Sequence, residues 1–332
     1  MNYLELSERV LKGKSITRDE ARNVLQAPAK DFEKVLEAVL PVREHFHGRR
    51  VKLCLLQNTR SGLCPEDCHY CSQSVISKAP IEKYGLLPQK TLLEAADKAV
   101  KSGAKRFCMV TSGRGPSDRD IDHLVEVVGA VKEKYPTLEI CCSLGLMDLP
   151  KAKRLKESGV GWVNHNLNTS ERFYPEICKT HTYEDRLNTL QAVKAAGLST
   201  CSGGIIGMGE TDEDILDLAF TVRDIDIDSI PLNFLHPIDG TPLNGAKFLD
   251  PVKGILALCV FRFLNPEKEV RAAGGREFNL KELQRFVIYP ANSIFVEGYL
   301  TTPGQQAIEA RQMIEGMGFE VEESKEFKHG SK

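Results

Sequence analysis

Cys64, Cys68 and Cys71 fall within eight residues, in the run Cys64-Pro65-Glu66-Asp67-Cys68-His69-Tyr70-Cys71. Three thiolates can hold three irons of a cubane [4Fe–4S] cluster and leave the fourth iron without a protein ligand. An open iron is a place where a small molecule can chelate and receive an electron, so the spacing points to a reaction centre. The competing reading is a zinc knuckle with His69 as fourth ligand, since structural zinc is held by four protein groups. A cluster with one open iron accounts for three cysteines without recruiting His69.

The other cysteines are Cys54, Cys108, Cys141, Cys142, Cys178, Cys201 and Cys259. A buried free cysteine behaves as a small hydrophobe, and core filling accounts for any one of them singly. Cys108, Cys141 or Cys142, and Cys201 nevertheless each fall in the middle of an apolar run with strand character. Neighbours on a strand face opposite ways, so only one of Cys141 and Cys142 can point inward. If three such strands converge, three thiolates make a second metal site below the first; packing and metal binding both stay open on pattern alone. Cys178, between helices, and Cys259, inside a predicted helix, read as structural.

Eight apolar runs recur along the chain: Val51–Leu56, Arg106–Val110, Glu139–Leu144, Val160–Asn166, Leu198–Ile205, Ser229–Leu235, Glu269–Gly275 and Ser293–Gly298. Segments such as Thr91–Ser102, Arg119–Lys134, Tyr183–Ala196, Glu213–Asp224 and Pro251–Leu264 carry apolar residues at helical spacing between them. Gly103, Gly159 and Gly197 sit where helices should end, each just before a strand. Eight strands alternating with helices predict a (β/α)8 TIM-type barrel, with the open doubly wound sheet as rival. The barrel is favoured because no Gly-rich dinucleotide fingerprint follows the first strand. The loop carrying Cys64, Cys68 and Cys71 then lies at the C-terminal face, where barrels build active sites.

Residues 1–50 read as an N-terminal helical extension, with Thr17 and Glu20 at capping-box spacing. Residues 51–320 are assigned to the barrel and 321–332 to a charged flexible tail. The net charge of −2 gives no electrostatic reason to expect nucleic acid or an acidic membrane as partner. No apolar run is long enough to span a bilayer, and acid arrives early at the N-terminus, so neither a membrane span nor a secretory signal is expected. Ten cysteines in such a chain argue for metal or redox chemistry in a reducing cytoplasm.

The Cys-x3-Cys-x2-Cys spacing with Tyr70 resembles the radical S-adenosylmethionine superfamily. Longer stretches narrow the resemblance: Gly62–Ser74, Arg106–Met109, Asn164–Ser170, Cys201–Thr211, Gly240–Leu243, Ala291–Phe295 and Leu300–Pro303. Together, from about residue 40 to 318, they are similar to the biotin synthase family. The resemblance implies a barrel, a homodimer, and conversion of dethiobiotin to biotin by radical insertion of sulfur, using two S-adenosylmethionine per product. It also implies a flavodoxin or ferredoxin as electron donor, and iron–sulfur assembly proteins as partners that rebuild the cluster giving up its sulfur.

Carried over by position, the family's [4Fe–4S] ligands match Cys64, Cys68 and Cys71. Those of its auxiliary [2Fe–2S] cluster match Cys108, Cys141, Cys201 and Arg271, which selects Cys141 over Cys142 and Arg271 over the nearby Arg276. An arginine ligand is unusual, because a protonated guanidinium has no lone pair to give; the alternative is a hydrogen-bond donor to cluster sulfide. Tyr70, Asn166, Asn168, Arg186 and Ile205 match positions around S-adenosylmethionine, with Arg186 set for the methionine carboxylate. Asn164, Asn166 and Asn233 can give and accept hydrogen bonds to a ureido ring, with His165 turned away by strand alternation, and Thr301 and Thr302 match the site for the substrate carboxylate. Asn168 stands where the family often has Asp, and Ala272-Ala273-Gly274 replaces a serine-containing stretch. The first reads as tuning, since Asn168 can still bond a ribose hydroxyl, and the small residues of the second preserve room for Arg271 to approach a cluster.

Overall fold

The computed structural model describes residues 1–246 and 249–323. Three helices come first: α1 (Tyr3–Leu11), α2 (Arg18–Leu25) and α3 (Phe32–His47). The Thr17 hydroxyl accepts from the Glu20 N–H, and the Glu20 carboxylate accepts from the Thr17 N–H at 2.8 Å, completing the expected capping box. The chain continues through β1 (Arg50–Arg60), α4 (Gln89–Lys101), β2 (Arg106–Thr111), α5 (Asp118–Lys134), β3 (Glu139–Ser143), α6 (Leu149–Glu157) and β4 (Trp162–Asn164). Then come α7 (Tyr174–Ile177), α8 (Tyr183–Ala195), β5 (Ser199–Cys201), β6 (Gly204–Ile206), α9 (Asp212–Asp224), β7 (Ser229–Phe234) and α10 (Pro251–Leu264). β8 (Glu269–Ala272), α11 (Arg276–Leu280), β9 (Ser293–Val296), α12 (Ala307–Gly316) and β10 (Glu320–Glu322) complete the order.

Every strand pairing is parallel, and β9 pairs back onto β1, so the sheet closes into the eight-fold barrel the apolar runs predict. All eight runs form strands. The fifth is broken into β5 and β6 at Ser202-Gly203, where the chain steps against β7. A Cβ on Gly203 would lie 2.0 Å from the Pro231 carbonyl oxygen, which is backbone and cannot yield. Gly203→Ala is therefore expected to cost on the order of 3 kcal/mol of stability. Urea unfolding should show a lower midpoint at unchanged slope; an unmoved midpoint would contradict this close approach.

Gly103, Gly159 and Gly197 all follow helix ends with positive φ, as helix termination there demands. α6 gives no clear helical period in the sequence because only Ala152 and Leu155 of it are buried. The extension does not stand apart: Val24, Leu25, Val35 and Val39 share one core with Leu256, Val260 and Phe261 of α10. At the other end, Val321 pairs with Val51 and Glu322 with Lys52 in β10. Folded structure thus runs past the expected start of the tail at 321, and residues 324–332 of that tail lie outside the described residues. No described helix is long and apolar enough to cross a membrane.

Candidate active site

The strand ends and the loops that follow them line one cavity of about 390 Å³. Cys64, Cys68 and Cys71 all line it, in the loop after β1. That loop is fastened to the segment after α7, far away in sequence. Asp67 accepts from the Lys179 and Thr180 N–H groups at 2.9 and 3.1 Å, and the His69 N–H donates to the Ile177 carbonyl at 2.9 Å. Glu66, also buried, accepts from Thr180 Oγ1 at 2.6 Å and from the Arg114 guanidinium at 3.2 Å, and contacts His181 Nδ1 at 2.5 Å. Burial would raise the Glu66 carboxyl, but Thr180, His181 and Arg114 hold it below its ordinary value.

Cys178 belongs to this fastening and does not merely fill core. Cys68 donates to its sulfur across 3.8 Å, and His181 Nδ1 stands 3.2 Å from it. The Cys68 thiol is held up by that bond and by burial, and Cys178 is correspondingly held down. The only trace in the sequence is Cys178 three residues before His181, and nothing there ties the pair to a loop more than a hundred residues upstream.

Lower in the cavity stand Cys108, Cys141 and Arg271, with Cys201 wholly buried behind the wall beside Arg271. Register puts them together: Cys108 pairs with Cys141, Asn164 with Cys201, and Cys201 with Ser229. Cys142 faces the other way, into the apolar layer of Met109, Leu124 and Val128 under the helices. Arg271 is 1% exposed and its Nη1 reaches Cys201 Sγ at 3.7 Å. Arg276 is equally buried but donates to the Phe295 carbonyl and to Gln305, away from the three thiols.

One strand step below the thiols lies a layer of charge. Lys52, Arg106, Glu139 and Glu269 point into the barrel because each is two residues from an inward position or is paired with one. Arg106 grips Glu269 through both oxygens at 2.8 and 3.1 Å, and Lys52 reaches Glu269 at 3.1 Å. Burial alone would raise the Glu269 carboxyl, yet Arg106, Arg271 and Lys52 hold it well below the usual carboxylate range. With Arg271 there are three cations against two carboxylates, a positive excess beneath the thiols.

The donor set fits iron–sulfur chemistry, for each site offers three soft thiols in a shielded pocket. Burial raises the Cys71 thiol to about 11 and lifts Cys64 as well, and hydrogen bonding to Cys141 together with burial pushes Cys108 well up. Ligation must therefore expel protons as metal enters.

The residues expected around the organic ligands also line the cavity: Tyr70, Asn164, Asn166, Asn168, Arg186, Ile205, Asn233, Thr301 and Thr302. Asn168 Nδ2 donates to the Tyr70 hydroxyl at 2.7 Å. Asn164 Nδ2 donates to Asn166 Oδ1 at 3.1 Å. Arg186 is fixed by the Asn166 carbonyl at 2.7 Å and by His181 Nε2 at 2.8 Å. Asn233 already accepts from the Gly274 N–H and donates to the Gly204 carbonyl, so much of its capacity goes to backbone. Thr301 Oγ1 meets Ser72 Oγ at 2.8 Å. His165 is not turned away: β4 ends at Asn164, alternation stops there, and His165 lines the cavity with Nε2 buried and without a hydrogen-bond partner among the described residues. Burial holds its ring well below the ordinary imidazole value, hence neutral.

Comparison with known proteins bears on what this arrangement is. Residues 59–222 match the Radical SAM superfamily, and 231–320 match the Biotin and Thiamin Synthesis associated domain. The chain is 50% identical over 326 residues to a protein of Bacillus subtilis (strain 168) named biotin synthase, covering 98% of this chain and 97% of that one. The chain belongs to the biotin synthase family. A biotin synthase of Halalkalibacterium halodurans is 47% identical, across 99% of this chain and 98% of its own. The first matched segment holds β2 to β6, and the second holds most of β7 and all of β8 and β9, so both contribute strands to the one barrel. The same fold occurs in methylornithine synthase, with TM-score 0.84 at 21% identity over 97% of this chain and 98% of that one. It also occurs in the FeFe-hydrogenase maturase HydG from Carboxydothermus hydrogenoformans, with TM-score 0.82 at 16% identity over 98% of this chain and 81% of that one.

Proposed function

We propose that this chain converts dethiobiotin to biotin by inserting sulfur between two unactivated carbons, consuming two S-adenosylmethionine per product. The observation that carries the reading is a cavity lined by Cys64, Cys68 and Cys71 and, beyond them, by Cys108, Cys141 and Arg271, with Cys201 buried against Arg271, in a member of the biotin synthase family. Cys64, Cys68 and Cys71 hold a [4Fe–4S] cluster; Cys108, Cys141, Cys201 and Arg271 hold a [2Fe–2S] cluster. When bound and reduced, the upper group would supply the one electron that splits S-adenosylmethionine into methionine and a 5′-deoxyadenosyl radical, and the lower group would supply the sulfur that enters the product.

The chain's own residues bind, orient and exclude water. Arg186 is held rigid at the wall by Asn166 and His181, which suits a guanidinium that takes the methionine carboxylate. Asn168 spends one N–H on Tyr70 and keeps the rest of its carboxamide for a ribose hydroxyl. Ile205, with the backbone of β6, closes the nucleoside side. Asn164, Asn166 and Asn233 give the mixed donors and acceptors a neutral urea requires, and Thr301 and Thr302 offer hydroxyls to the carboxylate. The wall between is apolar, including Leu56, Val110, Pro231 and Phe295, and a dry wall protects a radical from side reactions. No side-chain base is called for, because hydrogen leaves the unactivated carbons as an atom.

The reading extends to a cytoplasmic homodimer that takes electrons from a flavodoxin or ferredoxin. Iron–sulfur assembly proteins then restore the lower cluster. All ten cysteines are free, which suits a reducing compartment. The test is anaerobic reconstitution with iron and sulfide, then incubation with S-adenosylmethionine, dethiobiotin and a low-potential reductant. Biotin and 5′-deoxyadenosine are both expected; 5′-deoxyadenosine without biotin would assign the chain another substrate.

A further inference from the structure

We infer that Glu269 is the positioning residue that decides which nitrogen of Arg271 faces the lower cluster. The inference rests on the reading of Arg271 as a ligand given above, and it follows from how the guanidinium's donors are used. Nε–H donates to Ser293 Oγ at 3.0 Å. Nη2 donates to Ser229 Oγ at 3.3 Å and to Glu269 Oε1 in a short ion pair. Nη1 has no oxygen partner among these contacts and is directed at Cys201 Sγ. Of the three nitrogens, Nη1 is thus the one left for the cluster.

Glu269 can hold this orientation because it is itself immobile. Its two oxygens are fixed by Arg106, Lys52 and the Ser229 hydroxyl, which donates to Oε1 at 2.9 Å. Arg106 in turn lies over the Trp162 ring at 3.8 Å and pairs with Glu139 at 2.8 Å. Without the carboxylate, Nη2 keeps only the longer contact to Ser229, and the plane can turn about its last bonds toward Phe295, whose ring centre is 5.0 Å from Cζ. A charge-assisted hydrogen bond between buried partners is the strongest single restraint on the fork.

The test uses the full-length chain carrying both clusters, with isotopically labelled guanidinium nitrogen, the lower cluster reduced by one electron and read by pulsed EPR. In the parent chain a labelled-nitrogen coupling is expected. Its absence there would overturn the ligand reading itself, whatever Glu269 does. With the coupling present, Glu269→Ala should lower the ratio of nitrogen-coupled to uncoupled clusters about tenfold at unchanged iron and sulfide per chain. Glu269→Gln keeps the size and one oxygen acceptor and should fall between the two. If the alanine variant does not hold its clusters, the glutamine variant decides. Nitrogen coupling of parental size and proportion in the loaded variants overturns the role given to Glu269.

Discussion

Cys68→Ala is expected to abolish cleavage of S-adenosylmethionine, with 5′-deoxyadenosine falling at least about 100-fold. Changing a partner in the outer shell of a metal site already costs about 10–100-fold, and Cys68 is placed here as a ligand. It is also the most buried of the upper three and the one tied to Cys178. Its loss removes the thiol that anchors the loop to the wall as well as one of three holds on the cluster. The measurement is 5′-deoxyadenosine formed per chain under reductant. A variant that keeps parental cleavage would remove Cys68 from the ligand set and with it the open-iron argument.

Cys201→Ala should behave differently. It lies below the upper cysteines, wholly buried, with Asn164 Nδ2 at 3.3 Å and Arg271 at 3.7 Å. Reductive cleavage should persist within about tenfold of the parent, since the upper site is untouched, whereas biotin should drop at least about 100-fold. Biotin at the normal rate would sink the assignment of the lower site as sulfur source. Cys259→Ala is the matched control, a buried cysteine within α10 that packs only in the core. It should lose about 1 kcal/mol of stability and keep both activities.

The barrel was legible because parallel strands covered on both faces read as near-continuous apolar runs, and because Gly103, Gly159 and Gly197 mark where the intervening helices stop. The upper cysteines announce themselves by spacing. The lower three do so only through their place within strands, and sequence pattern alone could not choose between Cys141 and Cys142; the register with Cys108 and the apolar layer around Cys142 do. The charged layer of Lys52, Arg106, Glu139 and Glu269 was not legible. A charge in a strand ordinarily signals a solvent face, and here the charges cancel one another across four strands inside the barrel. Cys178 and His181 were missed for a related reason, since their meaning depends on a contact between distant loops. The alternation rule misplaced His165 because the strand ends one residue earlier.

The central claim is that two separate groups of sulfur ligands hold two different clusters in one barrel. Iron and sulfide analysis with Mössbauer spectra on anaerobically reconstituted full-length chain tests it most directly. About six irons per chain are expected, four in a cubane environment and two in a [2Fe–2S] environment. About four irons in a single environment, with Cys108, Cys141 and Cys201 still reactive as free thiols, would contradict it.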